Sequence, residues 1–594
     1  MIYGKMNFDR QKGIRIVILL FVIQFSFHTF AQNINHPNIV LILADDQGFG
    51  DLGVTGNPHV KTPVIDKFAT ENIQFNNFYV SPVCAPTRSS LMTGRFSLRT
   101  GIRDTYNGGA IMAANEITIA ELLKKNGYKS GVFGKWHLGD NYPSRPNDQG
   151  FDESVIHLSG GMGQVGDITT YFLRDRSYFD PILWHNGKTE AYKGYCTDIF
   201  TNQAIRFIEK NRNNPFFCYL AFNAPHTPLQ VPDKYYSMYK DIDPALGFEN
   251  DNRPFVPMTE KDKEAARRVY AMVSNIDDNV GKLLRKLDEL KLTENTLVIY
   301  MTDNGPQQQR YIAGMRGRKG SVYRGGVRVP FFLRLPSVFD GKKQIETTAA
   351  HIDVLPTIAE LCHVELPHDR EIDGKSLVPL IKNEPVNWEQ RPLFFYWTRR
   401  YPELYNNIAI QKGDYKLVGY TNYNAEIDSF ELYDIDKDPY EQTNIVKSHT
   451  GIAKELKKNL DAYYSNLIGS ENLIHQPPIF IGDKHENPVI LNRNDAGGER
   501  GIWSQEEIYG KWRVNIAEGE YNILVKFIHP IKEKGRMVVE TGAVINQMEN
   551  TTVGVDVIEM KNVHLRKMDC DLIPYYKTKN RSIFPFWIEL KKVN

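Results

Sequence analysis

A chain of 594 residues is longer than one hydrophobic core usually organises, so more than one domain is expected. Hydrophobic residues at 41% and charged residues at 24% give the balance of a globular protein and exclude a disordered or fibrous one. A formal net charge of +1 supplies no general field for nucleic acid, so no nucleic-acid partner is expected and any affinity for a polyanion has to be local.

At the N-terminus, Lys5, Arg10, Lys12 and Arg15 precede an apolar run from Ile16 to Ile23 that continues less purely to Phe30. Thr29 and Ala31 place small residues before a cut, which predicts a secretory signal peptide over 1–31. The apolar core is short and interrupted by Gln24, Ser26 and His28, unlike a membrane anchor. The mature protein is expected to be exported, periplasmic or secreted, with no stable membrane anchor.

Ile39 to Ala44 is a continuous apolar run of strand length, the pattern of a strand buried on both faces of a parallel sheet. It ends in Asp45 and Asp46; adjacent carboxylates at a strand's carboxyl end suit either a solvated Asx turn or a hard cation such as Ca²⁺ or Mg²⁺, and a companion site downstream favours the cation. Ser81 to Gly94 reads SPVCAPTRSSLMTG. Pro86 suits the first turn of a helix, where its missing N–H costs nothing, so Cys84 stands at a helix's positive end with Arg88 one turn on. That arrangement favours chemistry on an anion.

Ile117 to Asn126 is helical with Gly127 as its stop, and Lys129 to Phe133 is a strand leading to Lys135 and His137. Strand alternation would put those two side chains on one side. Residues 145–194, rich in glycine, aromatics and charge, read as a long loop with little regular structure that walls a cleft. Asp167, Arg174, Arg176 and His185 are its candidate contacts.

Thr197 to Lys210 is a helix, and Phe216 to Phe222 a buried strand running into Asn223 to Pro228, with His226 just past its end. Lys261 to Lys291 is an amphipathic core-packing helix. Thr296 to Met301 is a third buried strand, ending in Asp303 and Asn304 as oxygen-donor partners of Asp45 and Asp46. The basic, glycine-rich run Arg316 to Gly320, containing Lys319, reads as an anion-binding loop. A strand at Pro330 to Leu335 and a helix at Ile352 to Leu361 follow.

Beyond about residue 386 the composition changes. Short strands and a helix near Ile452 to Tyr464 indicate a smaller subdomain over 386–473, followed by a Pro- and Gly-punctuated linker over 474–488. Alternating segments such as Tyr521 to Phe527 and Met537 to Thr541 make 489–594 a β-rich, sandwich-like module, read as packing against the preceding domain ahead of binding sugar. Five cysteines (Cys84, Cys196, Cys218, Cys362, Cys570) leave four that could pair if Cys84 is kept for chemistry.

Two of these stretches resemble family signatures. Cys84-x-Pro86-x-Arg88 closing on Thr93-Gly94, and Gly127 to His137 (GYKSGVFGKWH), look like the two signatures of the formylglycine-dependent, arylsulfatase-like sulfatases of the alkaline phosphatase superfamily. The resemblance spans roughly residues 37–465. It implies an α/β fold with a large, mostly parallel mixed sheet flanked by helices over 37–385, a C-terminal α+β subdomain, and sulfate-ester hydrolysis, with a polysaccharide or oligosaccharide as the expected substrate.

The resemblance further implies that Cys84 becomes a formylglycine hydrate, made by a formylglycine-generating maturation enzyme, and joins Asp45, Asp46, Asp303 and Asn304 around one Ca²⁺. Lys135 and Lys319 would bind sulfate, Arg88 orient the hydrate, His226 protonate the leaving oxygen and His137 assist the second hydroxyl. The alternatives are a phosphonate monoester or phosphodiester hydrolase of the same superfamily, and a catalytically silent glycan-binding protein.

Overall fold

The computed structural model describes residues 1, 36–248, 251–385, 388 and 391–593. The expected signal peptide, Met1 apart, lies outside the described residues. Among those described, no helix is long and apolar enough to cross a membrane.

Among the described residues a 10-stranded sheet organises the larger part of the chain, in the order Lys343–Ile345, Ile73–Phe75, Phe331–Arg334, Thr296–Thr302, Asn38–Ala44, Phe216–Ala221, Lys129–Lys135, Glu153–His157, Ile182–His185, Lys188–Ala191. From Thr296–Thr302 to Glu153–His157 every pairing is parallel, so those strands share one carboxyl edge. The central strand shows why its sequence has no polar alternation. Ile39, Leu41 and Leu43 join one core cluster. Val40, Ile42 and Ala44 face the opposite one, so both faces are covered. The helices Cys196–Asn211 and Glu260–Glu289 cover the second face, while Ile119–Lys124 and Val354–Leu361 cover the first. Each large aliphatic side chain so buried contributes about 1.5–3 kcal/mol.

The stretch 145–194 departs from its reading as loop. It contains Glu153–His157, paired in parallel with Lys129–Lys135, and a hairpin of Ile182–His185 with Lys188–Ala191 that forms the sheet edge. These strands are short, and Lys188–Ala191 is exposed throughout, so no apolar run announces them. One signal was legible: Asn186 and Gly187, at φ 48° and 77°, form the Asn-Gly turn that a two-residue hairpin favours.

The chain then builds a four-stranded antiparallel sheet, Leu393–Tyr396, Asn406–Lys412, Tyr415–Tyr420 and Glu431–Asp434, packed on the helix Thr450–Ile468. The last part is β-rich. A seven-stranded and a four-stranded sheet share one core, with alternation visible in Gly510–Ile516 as inward Trp512 and Val514 against outward Lys511 and Arg513. Within the expected linker, Ile479–Ile481 is a strand of the larger sheet, paired in parallel with Val514 to Ile516.

This module is fastened to the catalytic part through the 140–142 segment. Glu486 accepts from the Tyr142 backbone N–H (2.7 Å), and Asn492 Nδ2 donates to Asp140 Oδ2 (2.8 Å). All five cysteines are buried and free; none pairs with another.

Candidate active site

Because the central strands are parallel, whatever follows them gathers at one edge. Asn38–Ala44 delivers Asp45 and Asp46, and its neighbour Thr296–Thr302 delivers Asp303 and Asn304. Phe216–Ala221 leads to His226, and Lys129–Lys135 to His137. This is where open α/β sheets place their sites. The helix Cys84–Thr93 lies across that edge, opened by Cys84 itself, with Val83 offering no side-chain cap. Cys84 therefore sits at the positive end of the helix, where orphan backbone N–H groups favour an anion.

The polar groups interlock at short range. The Asp46 backbone N–H donates to Asp303 Oδ1 (3.1 Å), tying the two acidic strand ends together. Lys135 Nζ lies 2.7 Å from Asp45 Oδ2, and Lys319 Nζ 2.6 Å from Asp46 Oδ1. Asn304 Nδ2 donates to Asp46 Oδ1 (2.8 Å). Arg88 grips Asp303 Oδ2 through Nε (3.1 Å) and Nη2 (2.8 Å), and its Nη1 donates to the Lys135 backbone carbonyl (2.8 Å). Arg88 and its acidic partners are fully buried, so the ion pairs are cut off from solvent. One fully buried residue that sequence reasoning missed, Arg310, pairs with Asp51 (2.6 Å) and donates to the Asp46 backbone carbonyl (2.8 Å). Asp46 sits at φ 63°, the left-handed region that aspartate enters more readily than most L residues, and this bond fixes its carbonyl there.

The donor set fits a hard cation. Asp45, Cys84 and Asp303 place ligand atoms within 4.8 Å of one another, as do Asp45, Asp46 and His226. Among the described residues Asp45 Oδ1, Asp46 Oδ2 and Asn304 Oδ1 are buried without a hydrogen-bond donor. Oxygen-rich donors of this kind favour Ca²⁺ or Mg²⁺ over zinc. The electrostatics agree. Burial, with repulsion from Asp45 added, pushes Asp303 up to about 6. Burial works in the same direction on Asp46, but Lys319, His226 and Lys135 outweigh it and hold that carboxyl well below its ordinary range. Burial raises the Cys84 thiol, with Lys135 and Lys319 opposing. An unmodified Cys84 is therefore a poor thiolate nucleophile near neutrality.

The two histidines have defined tautomers. His137 Nε2 lies 2.7 Å from the Thr105 carbonyl and donates to it, leaving Nδ1 unpartnered among the described residues. His226 Nδ1 donates to the Thr227 carbonyl (2.7 Å), leaving Nε2 free 3.6 Å from Asp46 Oδ2. Burial, reinforced for His137 by Lys135, keeps both rings neutral: His137 well below its ordinary value and His226 at about 3. The strand ends at Lys135, and His137 takes φ 60°, so simple strand alternation does not govern how the pair is presented.

Cys84, His137, His226 and Lys319 line a cavity of about 430 Å³. Of the 145–194 stretch, Gly160 and Gln164 line it, whereas the four candidates from that stretch do not. Asp167 is buried against Thr170 and the Leu158 N–H, Arg176 pairs with Asp180, and His185 with Glu190. Arg174 presents only its backbone carbonyl to Gln230. Sequence reasoning also missed His157, in register with Lys135 on the neighbouring strand and kept neutral by burial, because its strand was taken for loop.

A family model described as Sulfatase matches residues 37–364, and one described as N-sulphoglucosamine sulphohydrolase, C-terminal, matches 318–466. The N-acetylglucosamine-6-O-sulfatase of Bacteroides thetaiotaomicron is 28% identical over 541 residues, covering 76% of this chain and 90% of that protein. The N-acetylgalactosamine-6-sulfatase of Homo sapiens is 31% identical over 389 residues, covering 61% and 68%. Among solved structures, that of Ps i-CgsB in complex with k-i-k-neocarrahexaose is similar with a TM-score of 0.62 at 30% identity, over 73% of this chain and 94% of that one.

Proposed function

The chain belongs to the sulfatase family, and from that premise we propose that it is an exported carbohydrate sulfatase in which Cys84 is matured to formylglycine and a calcium ion completes the site. The observation that carries this reading is the meeting of Asp45, Asp46, Asp303 and Asn304 with Cys84 at one helix N-terminus.

A calcium ion held by Asp45, Asp46, Asp303 and Asn304 supplies, when bound, charge neutralisation for a sulfate group. Formylglycine at position 84, the product of a formylglycine-generating enzyme, supplies as its hydrate an oxygen nucleophile in place of a thiol that burial holds protonated. The remaining roles belong to this chain's own side chains. Lys319, 15% exposed, reaches the cavity and meets sulfate oxygens as a point charge, while Lys135 is fully buried against Asp45. Arg88 fixes Asp303 and the Lys135 backbone through its planar fork.

His137 Nδ1 is the free ring nitrogen suited to accept a proton. His226 Nε2 is the atom suited to deliver one to the leaving oxygen. Its neutral resting state means that the charge of an incoming sulfate ester has to raise its affinity for that proton first. A carbohydrate leaving group is supported by the relatives, named as sulfatases of N-acetylglucosamine and N-acetylgalactosamine, and by the neighbour solved with k-i-k-neocarrahexaose.

The test is sulfate release from a panel of sulfated oligosaccharides by enzyme co-expressed with the maturation enzyme, alongside mass analysis of the peptide spanning Cys84. Turnover that tracks loss of sulfur and gain of oxygen at that residue is the expected result. Active protein carrying an intact thiol overturns the formylglycine assignment. A higher kcat/KM on a phosphonate monoester than on every sulfate ester overturns the substrate class.

A further inference from the structure

The cavity over Cys84 is not closed by the family domain alone. Gly501, Trp503 and Ser504, from the β-rich module beyond both family matches, line it together with Cys84, His137, His226 and Lys319. Trp503 packs on Tyr106 of the catalytic part, ring centroids 5.6 Å apart at 37°. Arg399 of the middle subdomain lies over Tyr106 (4.7 Å) and over Trp397 (4.8 Å), anchored by Asp104 Oδ1 at 2.9 Å. Three segments far apart in sequence thus make one aromatic wall beside the nucleophile, and flat rings with polar edges suit a sugar face.

Chain neighbours of that wall line a second cavity. Arg400 and Glu499, one and two residues from the wall residues Arg399 and Gly501, line a separate space of about 490 Å³ at the junction of the same three parts. Arg103, Arg400, Lys511 and Arg513 line it with two carboxylates, Glu499 and Asp571. Arg513 is paired with Asp569 (2.6 Å), and Arg103 donates to the Asn107 and Gly108 carbonyls without a carboxylate of its own among the described residues. In a chain whose net charge is only +1, this is a local concentration of cations. Tyr401, 60% exposed, adds an aromatic floor that Arg103 overlies at 4.7 Å. Lys511 pairs with Asp571 (2.6 Å), whereas among the described residues the Arg400 guanidinium has no carboxylate partner, and its backbone is held at φ 74° by an N–H bond to Asp104. A residue kept in that conformation over a basic, aromatic-floored cavity is placed to meet an anion.

We propose that this junction cavity is a second subsite that binds a neighbouring anionic sugar unit, sulfated or carboxylated, of the glycan whose sulfate ester lies at Cys84. The inference rests on the carbohydrate-sulfatase reading and deepens it: the substrate is an oligosaccharide carrying at least two acidic units, and the β-rich module is part of its binding surface. Arg400 and Lys511 supply the charged hydrogen bonds to the second anion, and Tyr401 and Tyr509 supply surface for its ring.

The experiment measures binding and turnover separately. On the full chain carrying Cys84→Ala, calorimetry compares N-acetylglucosamine 6-sulfate with tetrasaccharides of chondroitin sulfate and of carrageenan, with and without Arg400→Ala and Lys511→Glu. Both side chains are partly or well exposed, so neither change threatens folding. At least one tetrasaccharide is expected to bind more tightly than the monosaccharide and to lose on the order of tenfold in affinity in each variant, the equivalent of one charged hydrogen bond. Monosaccharide binding is expected to stay within about twofold in both variants. Equal affinity for monosaccharide and tetrasaccharides, or tetrasaccharide affinity unchanged by both variants, overturns the subsite. Failure of the underlying reading has a different signature, namely no sulfate released from any of these sugars by the matured protein with Cys84 intact.

Discussion

Arg88 shows how much one side chain can be asked to hold. It is fully buried, spans from Asp303 to the Lys135 carbonyl, and its charge is reinforced: burial opposes ionisation, but Asp303 and Asp45 more than compensate. A lysine keeps the charge and loses the planar fork. Arg88→Lys is therefore expected to lower stability by roughly 2–4 kcal/mol in urea unfolding and to abolish measurable sulfate release. Wild-type stability in the variant would show that the fork is not what holds Asp303. That Arg88 stands beside the start of the helix was legible, because it follows Cys84 by four residues with proline between; its grip on Asp303 was not. Arg310 was not, because an arginine in a Gln-rich loop carries no mark of the buried carboxylate, Asp51, that it pairs with 259 positions away.

At the scale of elements, the site depends on how closely parallel strands approach. Gly134 lies at φ 118° in the strand Lys129–Lys135, and a Cβ there would sit 1.8 Å from the Ala221 carbonyl oxygen of the adjacent strand. Gly134→Ala must push apart the strands that carry Lys135 and the approach to His226. It is expected to cost roughly 3–5 kcal/mol and to lower Tm accordingly. A change below about 1 kcal/mol would mean that the strands relax freely. Two aspartates on one strand end and a third on the next also predict that chelator lowers Tm and that added Ca²⁺ restores it more than equal Mg²⁺, a calorimetric comparison requiring no turnover. These central strands were readable as unbroken apolar runs, because both faces are buried. The edge hairpin was not, since exposed Lys188–Ala191 has no core to face and only Asn186-Gly187 marked its turn.

Across the whole molecule, the joint between the catalytic part and the β-rich module contains two buried carboxylates. Burial and repulsion from Asp495 push Asp140 far above its ordinary value, and burial puts Asp495 at about 6. The folded protein thus keeps protons that the unfolded chain releases near pH 3.8. Stability from this pair is complete below that value and is lost as pH rises through about 6. Asp495→Asn is expected to flatten the fall of Tm between about pH 4 and pH 6 and to gain on the order of 2–3 kcal/mol above that window. An unchanged pH profile would show that the carboxylates do not face each other when ionised. The β-rich character of residues 489–594 was visible in alternating stretches such as Tyr521 to Phe527. Their contribution of Trp503 to the cleft was not, because the ring's neighbour Tyr106 is some four hundred positions away in the chain.

Cys84 is only 2% exposed, at the bottom of a space whose walls come from all three parts of the chain. An enzyme acting on the folded chain would have to part those walls to reach the thiol. On the proposed chemistry, maturation therefore competes with folding, and the share of active molecules is decided by kinetics during synthesis and export. Mutations that slow closure of the last module are then expected to raise the converted fraction, read by mass analysis of the peptide spanning Cys84.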